Sequence, residues 1–383
     1  MKKTRVIVLG AGLVGRPIAL DLALDDNFDV SVADIDQKKL DSFRQTHIQA
    51  IHADLSDRQK LQELILPFDY VVNAVPGSMG FECLHRIIEH GKDVVDIAFY
   101  PEDMFSLDKL AREQDVCAIC DMGVAPGMSH LLTGYAASQL DEVSKVLIYV
   151  GGLPVKREWP WQYKAVFSPA DVIEEYTRPA RLVENGKEVI KEALSEAELL
   201  NFEPVGMLEA FNSDGLRSLV KTIKANYMAE KTLRYPGHIE YIKVLKASGF
   251  FDTMPTTFSG HKLIPLTFTQ KMLFEKWQLG PNEADLTVMK IMVEGVKSGK
   301  HKRYTYDLYD TYDADTGIHS MARTTGYAAT MALRMMAEGL YHKPGIQAPE
   351  FVGQERSCVD FILEGLKKRG VIYKESVKSE DEE

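Results

Sequence analysis

Residues Thr4–Asp36 read TRVIVLGAGLVGRPIALDLALDDNFDVSVADID. Val6-Ile7-Val8-Leu9 is a short apolar run of the kind that forms a buried strand. Gly10, Gly12 and Gly15 follow at once in G-x-G-x-x-G spacing, with Ala11, Leu13 and Val14 between them. Leu13, Ile18, Ala19, Leu22 and Ala23 then share one helical face. A second strand, Phe28–Ala33, ends on Asp34 and Ile35. Each part has a task in holding a dinucleotide. The first glycine makes the tight turn, the second lets backbone approach a pyrophosphate, and the third lets helix pack on strand. The helix N-terminus offers unpaired N–H groups and a positive dipole end. Asp34 lies 19 residues after Gly15, where a carboxylate can accept from both adenosine ribose hydroxyls. It would repel a 2′-phosphate, so the expected cofactor is NAD, with NADP less favoured. Arg16 and Lys38 are the basic residues that keep NADP open. The competing reading, a merely structural glycine turn, does not account for the complete strand–turn–helix–strand–acid unit.

Outward from this unit the rhythm continues. Ile48–Ala53, Tyr70–Val75, Val94–Ile97 and Val116–Cys120 read as strands; Arg58–Ile65, Phe81–Glu89 and Met104–Glu113 read as helices. This alternation predicts an α/β fold, a doubly wound parallel Rossmann sheet with right-handed crossovers. Ligands in such sheets bind beyond the carboxyl ends of the strands. Candidate cofactor contacts are therefore Asp54 and Leu55, for the adenine, and Asn73-Ala74-Val75-Pro76-Gly77, for ribose and phosphates. Asp96 to Tyr100 and Asp121 to Gly127 are further site candidates.

After Pro126-Gly127 the pattern changes. Met128–Ser138 reads as a helix, and Val146–Val150, Tyr163–Phe167 and the Asn185-Gly186 turn mark strands. Met289–Val293 and Tyr304–Tyr312 form an expected hairpin, and Val172–Tyr176, Ser213–Lys221, Ile239–Ala247 and Thr269–Trp277 expected helices. This is a second, mixed α+β domain for substrate and dimerisation. A long helical pattern returns at Thr324–Leu340. The expected division is 1–125 for the dinucleotide, completed by about 322–375, and 126–321 for the substrate.

A chain of 383 residues with 45% apolar and 26% charged residues has room for two cores. A net charge of −11 argues against a general nucleic-acid binder. Four of the 56 acidic residues are clustered in the tail Ser379–Glu383. No apolar stretch is long enough to span a membrane, and the short run behind Met1-Lys2-Lys3 is not a signal peptide. Four cysteines without an export signal point to reduced thiols in a cytoplasm. Cys117 and Cys120 form a CxxC, but on an apparent strand an offset of three puts them on opposite faces, and no second pair exists. A metal or disulfide role is rejected, and Cys83 and Cys358 read as core thiols.

GAGLVG (Gly10–Gly15), DMGVAPGMS (Asp121–Ser129), GGLP (Gly151–Pro154), FSPADVIEEYTRPA (Phe167–Ala180), EAFNSDGL (Glu209–Leu216), TLRYPGH (Thr232–His238) and RTTGYAA (Arg323–Ala329) extend over most of the chain. On these motifs it resembles the saccharopine dehydrogenase superfamily, and within it most nearly the lysine 6-dehydrogenases. The resemblance implies NAD-dependent oxidation at the ε-carbon of L-lysine, giving aminoadipate semialdehyde or its cyclised piperideine-6-carboxylate and ammonia. It also implies a homodimer. The alternatives are a saccharopine-type enzyme acting on a related secondary amine, and a sensor that binds NAD(H) without turnover.

Hydride leaves a carbon beside nitrogen only when the nitrogen lone pair is free, so such a site needs a proton acceptor. Asp96 and Asp121, at the ends of the fifth and sixth strands, and His238, after a Pro-Gly turn, are the candidates; each also has a structural reading as a cap or turn residue. His130 is either a cap or a base. A buried substrate carboxylate favours a forked arginine donor, for which Arg234 is the first choice and Arg323 the second. The competing reading is a surface ion pair. Tyr100, Lys164 and Glu209 complete the substrate candidates. Trp159-Pro160-Trp161 reads as a loop that covers the substrate or meets a second copy.

Overall fold

The computed structural model describes residues 3–165, 169–280 and 282–379. It divides into two compact units. One runs from the N-terminus to Gln139 and takes in Ala322–Ile372; the other comprises Leu140–Met321 and the chain from Tyr373.

The first unit is built on a seven-stranded parallel sheet. Its strands are β1 (Thr4–Leu9), β2 (Phe28–Asp34), β3 (Gln49–His52), β4 (Tyr70–Asn73), β5 (Asp93–Asp96), β6 (Cys117–Ile119) and the segment Gly345–Gln347. Their spatial order is Gly345–Gln347, β6, β5, β4, β1, β2, β3. The direction of winding reverses between β1 and β4, the place where an open α/β sheet leaves a crevice. Ile7, Leu9, Val71, Val94 and Ala118 are fully buried, sandwiched with Leu84, Ile87 and Ile88 of helix Gly77–Glu89. Burial on both faces explains why these strands read as continuous apolar runs.

Helix α1 (Gly15–Leu22), which follows the glycine turn, is anchored from far along the chain. The Asp21 carboxylate accepts from Thr330 Oγ1 (2.6 Å), Arg334 Nη1 (2.7 Å) and Arg369 Nε (2.6 Å). The Asp21 side chain is 3% exposed and that of Arg334 7%. Asp21→Ala would leave buried guanidinium charge uncompensated, an effect of about 3–5 kcal/mol. Urea unfolding of this variant should show that loss; a change below about 1 kcal/mol would mean that solvent screens the cluster.

The second unit carries a nine-stranded mixed sheet. Its main path runs Glu198–Phe202, Gly206–Asn212, Ala225–Arg234, Glu142–Pro154, Asp285–Lys297, Lys300–Thr311 and Tyr373–Ser379. Ala180–Glu184 and Lys187–Lys191 flank Asn185-Gly186 and pair with each other. Ala225–Arg234 runs parallel to Glu142–Pro154, and the long hairpin Asp285–Lys297/Lys300–Thr311 is antiparallel.

Several expectations need correction. Ser213–Lys221 is not a helix: only Leu219–Thr222 is helical, because Arg217 adopts φ 47° and the Ser213 hydroxyl bonds Glu230 Oε2 (2.6 Å). Tyr163–Ala165 do not form a strand: Ala165 makes an isolated bridge to Gln278, and Val166 and Phe167 lie outside the described residues, as do Glu380–Glu383 of the acidic tail. The strand Ala225–Arg234 was not anticipated, because Glu230, Lys231 and Arg234 make it read as polar although all are buried. The four cysteines are free and buried. Among the described residues no helix is long and apolar enough to cross a membrane, and no cluster of ligating side chains could hold a metal.

Candidate active site

In the first unit the carboxyl ends of β1, β2, β4 and β5 bring together the glycine turn, Asp34, Asn73 and Asp96. Gly10 has φ 101°, and a Cβ there would stand 2.5 Å from the Ala74 carbonyl oxygen. A Cβ on Gly15 would stand 2.0 Å from the Gly10 oxygen, so helix and turn are in direct backbone contact. Around Gly12, by contrast, nothing lies within 4 Å: that side of the turn is open. Val14 at the N-cap of α1 makes no side-chain capping bond; the Arg16 amide already bonds the Gly12 carbonyl (3.0 Å) and Pro17 has no N–H, so an anion here would meet the positive end of the helix at the amides before Arg16.

Asp34 is 7% exposed. Its Oδ2 accepts from the Ala11 amide and its Oδ1 from the Asp36 amide, both at 2.8 Å, so the carboxylate ties the end of β2 to the glycine turn. Lys39 Nζ lies 3.5 Å from Oδ2. Leu13 (49% exposed) and Ile35 (60% exposed) leave apolar surface open beside it. Leu55 is buried; Asp54 is committed to a local turn, accepting from Ser56 N (3.0 Å) and Oγ (2.6 Å), and these bonds hold its pKa below the usual carboxylate range. Val75 is buried and Pro76 exposed. An open glycine turn, an uncapped helix N-terminus, a buried acid and exposed apolar side chains fit the adenosine and pyrophosphate of a dinucleotide.

Asp96 and Asp121 are both buried. Burial pushes the Asp96 carboxyl up to about 8; the Ala98 amide, the Tyr100 hydroxyl and the Asn73 side chain oppose this, and the neighbouring Asp121 adds to it. Asp121 follows β6 with φ 55°, a left-handed backbone that Asp tolerates better than most residues. Tyr100 is buried against Phe81, with ring centroids 5.5 Å apart. His130 is fully buried inside helix Met128–Ser138, with Nδ1 2.9 Å from Ser129 Oγ. Arg323 belongs to this unit, where it donates to the Arg369 carbonyl and lies over the Tyr327 ring.

In the second unit Glu209, Arg234 and His238 come together. Glu209 and Arg234 are register partners in the sheet, and Glu209 Oε2 accepts from the Gly237 amide (3.1 Å). Arg234 is 2% exposed. Its Nη2 meets Glu175 Oε2 at 2.5 Å, its Nε donates to Tyr176 Oη (3.0 Å), and its guanidinium lies 4.3 Å above the Tyr163 ring. His238 Nδ1 lies 2.8 Å from the Trp161 carbonyl and its Nε2 2.9 Å from Tyr176 Oη. Burial, with Arg234 adding to it, pushes the His238 pKa down to about 3. Both ring nitrogens of His238 are engaged within the second unit. Lys164 is engaged by Glu158 (3.1 Å) and Glu283 (2.6 Å). Trp161 packs on Trp277 (5.7 Å), and Trp159 is 81% exposed.

The sequence reading missed the neighbours of Arg234. Glu230, Thr232 and Arg234 alternate along one strand and so share a face, all buried. Ser213 Oγ reaches both Glu230 Oε2 (2.6 Å) and Thr232 Oγ1 (2.7 Å). Burial pushes Glu230 up to about 8. The period-two spacing of three polar residues was the available signal.

Residues 6–119 match the saccharopine dehydrogenase NADP binding domain, and residues 123–371 the saccharopine dehydrogenase C-terminal domain. The chain belongs to the saccharopine dehydrogenase family. It is 23% identical, over 98% of its length, to the saccharopine dehydrogenase (NADP(+), L-glutamate-forming) of Schizosaccharomyces pombe, of which the match covers 99%. It is 26% identical to the carboxyaminopropylagmatine dehydrogenase of Synechocystis, over 89% of this chain and 91% of that one. Against the mitochondrial alpha-aminoadipic semialdehyde synthase of Mus musculus it is 23% identical over 97% of its length, and it spans 47% of that longer protein. The apo saccharopine dehydrogenase (L-Glu forming) of Saccharomyces cerevisiae superposes with a TM-score of 0.81 at 21% identity, covering 98% of this chain and 100% of that one, which shows a shared fold.

Proposed function

We propose that this saccharopine dehydrogenase family member, as a homodimer, oxidises the ε-carbon of L-lysine with NAD and releases aminoadipate semialdehyde, or its cyclised form, and ammonia. The observation that carries the reading is the ion pair of buried Arg234 with half-buried Glu175, beside the polar row Glu230–Thr232. An α-amino acid is a zwitterion. Its carboxylate can replace Glu175 on the Arg234 fork while its ammonium takes the carboxylate of Glu175, so a dipolar head enters without leaving a charge unpaired. Met254 (76% exposed) and Phe258 (68% exposed) support the homodimer as apolar surface that a second copy would cover.

The nicotinamide supplies the hydride acceptor when the dinucleotide is bound. The chain supplies orientation and a proton acceptor. Asp121 is assigned that role: it is buried at the end of β6 on a left-handed backbone, and such conformations gather at functional sites. It would take a proton from the ε-ammonium, whose pKa in water is about 10.4. Turnover should therefore rise with pH. NADH appearance with lysine, followed from pH 6 to pH 10, tests this, and a flat profile would overturn it.

A second reading is favoured by the names of the relatives. A saccharopine-type enzyme would consume NAD(P)H only when aminoadipate semialdehyde and glutamate are both supplied. Dinucleotide binding without turnover of any amine would leave a sensor.

A further inference from the structure

We propose that His238 is a positioning residue for Arg234, acting through the Tyr176 hydroxyl and tying the arginine to the loop Trp159-Pro160-Trp161. As a statement about substrate binding this rests on the reading of Arg234 as the carboxylate clamp; as a statement about how Arg234 is held it stands on geometry alone. Three hydrogen bonds run in series within the second unit. Arg234 Nε donates to Tyr176 Oη at 3.0 Å, Tyr176 Oη lies 2.9 Å from His238 Nε2, and His238 Nδ1 lies 2.8 Å from the Trp161 carbonyl. The two ends fix every direction between them. A guanidinium nitrogen only donates, and a carbonyl oxygen only accepts. Nδ1 therefore carries the imidazole proton and donates to Trp161. Nε2 is then the nitrogen with the lone pair, and it accepts from the Tyr176 O–H. A second proton, on Nε2, would displace the tyrosine hydrogen from its acceptor and set a cation beside Arg234.

Tyr176, Arg234 and His238 are all buried, and the imidazole is enclosed by the rings of Tyr163 (5.2 Å between centroids), Tyr176 (5.6 Å) and Trp277 (6.0 Å). It has no room to seek other partners. A hydroxyl has one hydrogen and turns freely unless something takes that hydrogen. His238 Nε2 takes it, so the oxygen presents a lone pair to Arg234 Nε. That bond sets the rotation of the guanidinium, while Nη1 rests on the Leu233 carbonyl (2.9 Å) and Nη2 on Glu175. Of these partners only Glu175 is a half-buried side chain that a substrate carboxylate can replace. The loop thus holds the arginine twice. Tyr163 lies under the guanidinium at 4.3 Å, and Trp161, two residues earlier, fixes the histidine proton.

The amide of asparagine reaches the place of Nδ1 and that of glutamine the place of Nε2. His238→Asn therefore keeps the donor to Trp161 and loses the acceptor for Tyr176, whereas His238→Gln keeps that acceptor. The first readout needs no substrate. In protein labelled with nitrogen-15 arginine, the Arg234 Nε–H signal is assigned by its loss in Arg234→Lys. Its exchange with solvent should be about 10-fold faster in His238→Asn and in Tyr176→Phe than in the wild type, and near the wild-type rate in His238→Gln. The second readout is kinetic: His238→Asn should raise the KM for lysine about 10-fold with kcat within about threefold, and His238→Gln should recover most of that loss. Adding His238→Asn to Tyr176→Phe should move neither readout further, because the histidine acts through the hydroxyl. Imidazole nitrogen spectra at pH 7 should show His238 neutral with its proton on Nδ1. If His238→Asn does not fold, that spectrum and the Tyr176→Phe exchange rate decide. A charged His238, a proton on Nε2, equal Nε–H exchange in the asparagine and glutamine variants, or additive effects in the double variant overturns the proposal. If the exchange rates follow the expected order while the KM for lysine moves in none of the variants, Arg234→Lys included, Arg234 is held as proposed and the clamp reading alone falls.

Discussion

Asp34→Asn should shift the ratio of kcat/KM for NAD and NADP towards NADP by about 30-fold, without unfolding the protein. Asp34 sits at the end of β2 with a carboxylate that is nearly inaccessible and accepts two backbone N–H bonds. A 2′-phosphate brought to about 4 Å from it would meet repulsion of about 4 kcal/mol per charge at an effective dielectric near 20. Lys39, 3.5 Å away but 46% exposed, offsets part of this. A net penalty of about 2 kcal/mol corresponds to roughly 30-fold. Asparagine removes the charge and can still accept from the Ala11 amide through its one oxygen, losing the bond from the Asp36 amide, so the tie to the glycine turn survives. Asp34→Ala would remove both and should weaken NAD and NADP alike. The ratio of kcat/KM for the two cofactors decides the matter. Equal kcat/KM for the two cofactors in the wild type would show that the basic residues Lys38, Lys39 and Arg16 outweigh the Asp34 charge.

Residues whose structural role depends on near neighbours were legible; residues whose role depends on distant partners were not. Gly10, Gly15 and Asp34 act within one strand–turn–helix–strand unit, and their spacing alone specifies that geometry. Asp96 was legible as a strand-end acid but not as the register partner of Asn73, which comes 23 residues earlier. Glu230 and Arg234 lie on a strand that carries charge into a buried sheet. The rule that strands are apolar therefore hid them, and the polar partners that make their burial tolerable, Ser213 and Glu175, come from elsewhere in the chain. Gly345–Gln347 joins β6 at the edge of the parallel sheet from more than 200 residues away and is only three residues long. A segment that short has no period to read. Arg323 was chosen for its residue type, and its bond to the Arg369 carbonyl, 46 residues on, has no local sequence signal.

Arg234→Lys should raise the KM for lysine by about 10- to 100-fold while leaving the dissociation constant of NADH unchanged. The guanidinium lies 4.3 Å over the Tyr163 ring, with Nε on Tyr176, Nη1 on the Leu233 carbonyl (2.9 Å) and Nη2 on Glu175. A substrate carboxylate would reach the fork by taking the place of Glu175. Lysine keeps the charge but loses the second parallel N–H, and a hydrogen bond to a charged group contributes about 1.5–3 kcal/mol. The competing reading is that Arg234 only compensates Glu175 in the interior of its unit. A buried pair is itself weak evidence for function, and losing one partner costs stability whether or not substrate binds. The two readings differ in which constant moves. A structural arginine predicts a lower Tm with KM for lysine unaltered in the fraction that folds. A substrate clamp predicts a KM effect that persists well below the Tm, and one that shrinks for an amine lacking the α-carboxylate, since that molecule has nothing for the fork to hold. Measuring KM for lysine and for its decarboxylated analogue, cadaverine, in wild type and Arg234→Lys separates them. An equal change for both amines would remove Arg234 from the site.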